Sequence, residues 1–247
     1  MKKTLVLTVL LAWSGALASG EVFVSRKLHS NSYYHEGVMR PERNVTLDFW
    51  IGSRRMAYLA GPIKILLDLD KDTLLLVNSA ERSYVQAKLS APFKAAMSAD
   101  ELEATPDHEV KASVRGTGES RTIQGVVCRA YEIDLKSSMD LKVKVWMSVD
   151  TPVDIAAYKT FQKKMYGFLA RYEPASVEAL MAVPGFPVLQ ESSADLKGEA
   201  IRVRRETAGW VKKDPPADVF AVPEGFTRKS GLTHADLDLL ASVLERP

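Results

Sequence analysis

Asp68-Leu69-Asp70-Lys71-Asp72 is a run whose residue types could do chemistry, because alternating carboxylates are how a calcium loop begins. Its continuation removes that reading. Thr73 holds the sixth place, where glycine permits the sharp turn, and Ser79 the twelfth, where a bidentate glutamate belongs. The run is expected to be a strand end followed by a tight polar turn. His29, His35, His108 and His234 lack the i, i+4 pairing that puts two metal ligands on one helix face, so no zinc signature is present. Gly116-Thr117-Gly118-Glu119-Ser120 lacks the third glycine of a dinucleotide fingerprint and the Lys-Ser/Thr of a phosphate loop, and reads as a hairpin turn. No G-x-S-x-G elbow marks a serine nucleophile. The sequence therefore predicts no enzyme, no metal and no cofactor. A hydrolase with residues gathered from separate loops is the enzymatic alternative.

Cys128 is the single cysteine, so no internal disulfide can form and stability must come from an ordinary core. Between Val127 and Arg129 it reads as a small buried hydrophobe, with a reactive thiol or an intermolecular disulfide as the other possibility.

The start of the chain reads as an address. Met1-Lys2-Lys3, an apolar stretch from Leu5 to Trp13 and the small-x-small site Ala16-Leu17-Ala18 make a cleavable signal peptide over residues 1–18. The apolar stretch is shorter than the ~20 residues of a spanning helix, and no later segment is comparably apolar, so the mature chain is expected to be periplasmic and not membrane-spanning. No cysteine stands near the cleavage site to carry a lipid. The chain has 33 basic and 31 acidic residues, and Lys2 and Lys3 leave with the signal peptide, which brings the mature charge to about zero. Basic residues are interspersed with acidic ones, as at Arg202, Arg204, Arg205 and Glu206, so nucleic acid is not an expected partner. Residues 19–247 are read as one domain, as curved sheets and barrels of that length often are.

What must position any site is mostly strand. Val45, Leu47, Phe49 and Ile51 alternate with Thr46, Asp48 and Trp50, and Leu141, Val143, Val145 and Met147 alternate with Lys142, Lys144, Trp146 and Ser148. The same dyad appears in Tyr131-Ile133-Leu135 and in Ile201-Val203. Further strands are predicted over Val22–Lys27, Arg55–Ala60, Ile63–Asp68, Thr73–Val77, Ser83–Lys88, Glu109–Arg115 and Arg121–Val127. Spacings of about ten residues between turn signals read as an antiparallel meander in one large sheet. A sheet apolar on one face must cover it, and helices are available. One is predicted from a Thr151 cap with Pro152 at its first position to about Arg171, with Ile155, Tyr158, Phe161, Met165, Phe168 and Tyr172 as its apolar stripe. Others are predicted over Pro174–Ala182, within Ala91–Ala104 behind a Ser98/Glu101 capping box, and after a second box at Thr233/Asp236. Trp50 and Trp146 fall on the less apolar phase of their strands. Packing at a rim or under a helix is the plain reading for them, and ligand contact at a cavity mouth is the other.

Three stretches carry a family resemblance: Ile123-Gln124-Gly125-Val126-Val127-Cys128-Arg129-Ala130-Tyr131, Val143-Lys144-Val145-Trp146-Met147-Ser148-Val149-Asp150, and Asp218-Val219-Phe220-Ala221-Val222-Pro223-Glu224-Gly225-Phe226. Their order and spacing resemble an uncharacterised family of bacterial exported domains, a domain of unknown function, which is similar in turn to the periplasmic lipoprotein-carrier superfamily of the LolA and LolB type. The resemblance implies an α+β fold that is mainly β: a strongly curved antiparallel sheet, or incomplete barrel, closed by helices around an apolar cavity. It also implies a non-enzymatic binding or carrier protein for an apolar ligand, a lipid or acylated chain. The residues expected to face that ligand are Phe49, Val143, Val145 and Met147 from the sheet, with Phe161 and Met165 from the helix. The same six would equally suit a filled core. The alternative function is a structural or interaction protein that binds an envelope protein and holds no internal ligand.

Overall fold

The computed structural model describes residues 20–35, 38–97, 99–102, 109–137, 140–196 and 198–244. The expected signal peptide over residues 1–18, His108 and Ser98 of the expected capping box lie outside the described residues.

In chain order the strands of the first half are β1 (Val22–Ser30), β2 (Tyr33–His35), β3 (Val38–Arg40), β4 (Arg43–Ile51), β5 (Arg55–Ala60), β6 (Ile63–Asp68), β7 (Thr73–Asn78) and β8 (Ser83–Lys88). A 3-10 turn over Phe93–Ala96 and the short α1 (Ala99–Leu102) follow. The second half runs β9 (Lys111–Ile123), β10 (Val126–Lys136), β11 (Leu141–Ser148), α2 (Ile155–Leu169), α3 (Pro174–Ala182), β12 (Phe186–Leu196), β13 (Glu199–Lys212), β14 (Thr227–Arg228) and α4 (His234–Leu244). Twelve strands form one sheet in the order β14-β8-β7-β6-β5-β4-β1-β13-β12-β11-β10-β9, while β2 and β3 pair separately as a hairpin. Every pairing is antiparallel except β14 on β8. β1 sits at the seam, bonded to β4 on one side and β13 on the other. The protein is mainly β, and the large sheet is curved without closing into a barrel. Accumulated strand twist makes so wide a sheet curl, since flat open sheets rarely exceed ~10 strands.

Three local expectations are corrected. Glu109–Arg115 and Arg121–Val127 are not two strands around a Gly116–Gly118 turn; β9 runs straight through from Lys111 to Ile123. The turn is Gln124-Gly125, with φ of 51° and 79°. Two positive φ values in a two-residue loop match the right-handed twist of the strands, which a turn at Gly116, paired with Tyr131, does not need to supply. Helix α2 begins at Ile155, not at Pro152. Its cap is Asp154, whose carboxylate accepts the backbone N–H of Ala157 at 3.0 Å, in place of Thr151. The strand Phe186–Leu196 carries no clear alternation and was not expected at all, yet it is central to the sheet.

Directly opposed residues in antiparallel strands share a face, so register sorts the side chains. One row on the inner face runs Tyr131, Val145, Gln190, Arg205, Leu28 and Val45. Over β4–β8 this face joins α2 and α4 in a continuous core of Phe49, Ile65, Leu74, Phe161, Phe168 and Leu240. Over β10–β12 the inner residues Leu141, Val143, Val145 and Ala194 make a separate apolar cluster. The outer face holds two smaller cores. Trp50 packs with Ala57, Leu66 and Val219, and Trp146 packs with fully buried Cys128, Val188 and Leu189. Both tryptophans therefore follow the packing reading, and burial pushes the Cys128 thiol upward from its ordinary value.

Candidate functional site

Alternation places Val143, Val145 and Met147 of β11 on the inner face, and β4 brings Phe49 to the same face from across the seam. These four line a cleft of about 140 Å³ whose other wall is Tyr158, Gln162 and Tyr166 of α2 with Leu180 and Met181 of α3. Phe161 and Met165 stand elsewhere. They stand on the adjoining stripe of α2, where with Met56, Tyr58, Ile65 and Leu67 they border a gap of only about 10 Å³. One helix thus fills the sheet with one stripe and edges a cleft with the next.

The polar groups of the cleft were not singled out by the sequence reading. Arg26 of β1 and Arg205 of β13 both line it, at 6% and 2% exposure. Leu28 is opposite Arg205 and Thr207 opposite Arg26, so the two arginines are diagonal neighbours on one face, within reach for long side chains. The Arg26 guanidinium lies 5.9 Å from the centre of the Phe49 ring, and its Nε and Nη2 are buried without a hydrogen-bond partner among the described residues. Gln190, opposite Arg205 in the register, donates to Ser192 Oγ at 3.3 Å. Gln162 donates to the Tyr158 hydroxyl at 2.8 Å, and Lys159 Nζ donates to the Met181 carbonyl at 2.7 Å, tying α2 to α3. Among the described residues that line the cleft there is no aspartate, glutamate, histidine, serine or cysteine. The signal that could have found the arginines was present in the sequence: each occupies the apolar phase of its strand, after Val22 and Val24 in β1 and after Ile201 and Val203 in β13.

Gly185, which lines the cleft, has φ +96°, and a Cβ there would come within 2.5 Å of the Ser148 carbonyl oxygen. Only glycine lets the chain leave α3 and start β12 so close to the end of β11. α3 itself is lightly held. Ser176 is its one buried residue among those described, and accepts the Ala112 N–H at 2.8 Å.

The outer face of the same strands carries a trough of about 570 Å³. There Arg115, Glu132, Lys144, Glu191, Arg204 and His29 stand in one cross-strand row of mostly alternating charge. Arg115 pairs with Glu132, Lys144 with Glu119 at 2.7 Å, and Arg204 with Glu191 at 2.8 Å. These exposed pairs satisfy one another at ~0–1 kcal/mol each, and the trough is a solvated charged surface. At the β6–β7 turn, Asp68 accepts the Lys71 N–H at 3.0 Å and Asp70 pairs with Arg54. Among the described residues no group of His, Cys, Asp and Glu is arranged to hold a metal ion, and no helix is long and apolar enough to cross a membrane.

Residues 52–226 match the model of a family described as a domain of unknown function, DUF4412. No curated protein matches the sequence. Among solved structures, PNGF-II is similar over 92% of this chain and 34% of its own, at 10% identity and a TM-score of 0.44. The chain thus spans about a third of the length of PNGF-II. A DUF1329 family protein from Desulfovibrio piger is similar over 82% of this chain and 89% of its own, at 10% identity and a TM-score of 0.32. A domain from Vibrio parahaemolyticus named for outer membrane lipoprotein sorting shows the same coverage at 7% identity and a TM-score of 0.32. At these identities and scores the likenesses say nothing about what this chain binds.

Proposed function

The chain belongs to the DUF4412 family, and for this member of it we propose a non-enzymatic periplasmic binding or carrier protein that holds an apolar ligand, a lipid or acylated chain, between its curved sheet and its helices. The observation that carries this reading is the inner-face cleft itself, where Val143, Val145 and Met147 face Leu180 and Met181 across unfilled space instead of packing into the core beside them. Each methylene moved from water into such a lining contributes about 0.8 kcal/mol. The 140 Å³ of the cleft is close to the ~150 Å³ of an apolar cavity that takes a benzene-sized molecule, and below the ~300 Å³ at the low end for drug-sized ligands. An acyl chain longer than a few carbons therefore enters by displacing α3, the least buried wall, or runs out through the mouth. In this reading α2 and α3 close the open side of the sheet and the leader exports the chain.

Protein purified from the periplasm, extracted with organic solvent and analysed by mass spectrometry, is expected to yield stoichiometric lipid and to bind a fluorescent fatty acid. An empty extract together with no fluorescent fatty-acid binding overturns the proposal. The second reading, an interaction protein of the envelope, draws on the β2–β3 hairpin, which holds Tyr34, Val38 and Met39 about half exposed. Under that reading the hairpin, and not the cleft, is where substitutions abolish partner binding.

A further inference from the structure

We infer that the ligand carries an anionic head group, a carboxylate or a phosphate monoester, seated against the guanidinium of Arg26 with Arg205 beside it. This rests on the carrier reading above and names the class of amphiphile the cleft takes. A guanidinium stays charged at every relevant pH, and burying one without a counter-charge is costly, so a buried arginine ordinarily stands next to a carboxylate. Arg26 does not. It is 6% exposed, two of its nitrogens have no hydrogen-bond partner among the described residues, and its guanidinium lies over the face of the Phe49 ring. Arg205, the diagonal neighbour, adds a second positive charge on the same face, and Lys159 a third at the rim.

No carboxylate is among the described residues lining the cleft. The strongest partner for the planar N–H fork of Arg26 is an oxyanion that can accept two of its donors. The geometry separates head from tail. Arg26 and Arg205 lie at the seam strands β1 and β13, whereas Val143, Val145 and Leu141 lie on β11, two strands further out. A single-chain amphiphile with its head at the seam lays its tail across β12 and β11 under α3. Gln190, on the strand between, has its amide on the path between the two.

The test compares dodecanoate, dodecyl phosphate and the uncharged methyl dodecanoate as displacers of a fluorescent fatty-acid probe from the purified protein. Hydrogen bonds to a charged group are worth enough that at least one of the two anions is expected to bind about tenfold or more tighter than the ester. Whichever anion wins identifies the head. Arg26→Gln is expected to remove most of that preference, read as the ratio of ester to anion affinity. Equal affinity of ester and both anions for the unsubstituted protein overturns the anionic-head inference and leaves the carrier reading standing. Binding of none of the three overturns both. The comparison of ligands on the unsubstituted protein needs no variant, so a poorly folding Arg26→Gln does not blunt it.

Discussion

The two wings of the sheet, β4–β8 and β10–β13, share the seam strand β1 and the helix α2 but use them differently. Over β4–β8 the inner face meets Phe161, Met165 and Phe168 and is filled, leaving a gap near 10 Å³. Over β10–β13 it meets Tyr158, Gln162 and Tyr166, together with an α3 that buries little, and a cleft of about 140 Å³ stays open. The difference lies in side chains and not in backbone. Over β5–β8 the inward phase carries no charged side chain, and the wing packs. Where that phase is interrupted by Arg26, Gln190, Ser192 and Arg205, packing cannot close without burying charge, and space remains.

Four measurements bear on that contrast, from the largest effect down. Phe161→Ala, in the filled wing, is expected to lower stability in urea unfolding by about 3–5 kcal/mol, as large-to-small changes in dense cores do. A loss below about 1 kcal/mol would show that this wing is not packed as a core. Arg26→Met, in the cleft wing, is expected to raise stability by about 1–2 kcal/mol because it removes a buried charge that lacks a protein counter-charge. A loss of several kcal/mol would make Arg26 structural and erase the distinction between the wings. Asp154→Ala removes the cap of the helix common to both and should cost about 1 kcal/mol, read by thermal unfolding.

The smallest effect is a pH dependence at α4. Backbone and side-chain hydrogen bonds from His234 hold the Glu101 carboxyl below the usual carboxylate range. A folded value below the unfolded ~4.3 means that the contact adds stability above that pH and loses it as pH falls through the folded value. Glu101→Gln should therefore flatten the acid limb of the stability curve and leave the neutral region almost unchanged. An unaltered acid limb would remove this contact from the account of how the filled wing is fastened.

How much of this could be read from the sequence follows the same division. In β4 and β11 apolar and polar residues alternate because one face is buried, and β5 to β8 are short runs bounded by turn residues; both kinds of strand are legible to within a residue or two. β12 was invisible for a physical reason. Its inward residues include Gln190 and Ser192, so the dyad that reveals a strand is absent where the strand borders the cleft. Arg205 was visible only as one of several basic residues, since its burial depends on which face β13 presents, and that is set by pairing with β1 and β12. The misplaced turn at Gly116 has a similar origin. Glycine content marked it, but the twist of β9 on β10 selected Gln124-Gly125. Phe49, Val143, Val145 and Met147 were placed at the cleft by strand phase alone, whereas the choice between the two stripes of α2 needed the neighbouring wing to be known.

The claim that the wing over β10–β13 is the ligand site is tested most directly by photo-crosslinking with a diazirine-bearing fatty acid, followed by peptide mass spectrometry. The account predicts labels on the β11 segment Val143–Met147 and on Leu180 and Met181 of α3, all competed away by unlabelled dodecanoate. Labels confined to the β2–β3 hairpin or to β6–β8 would contradict it.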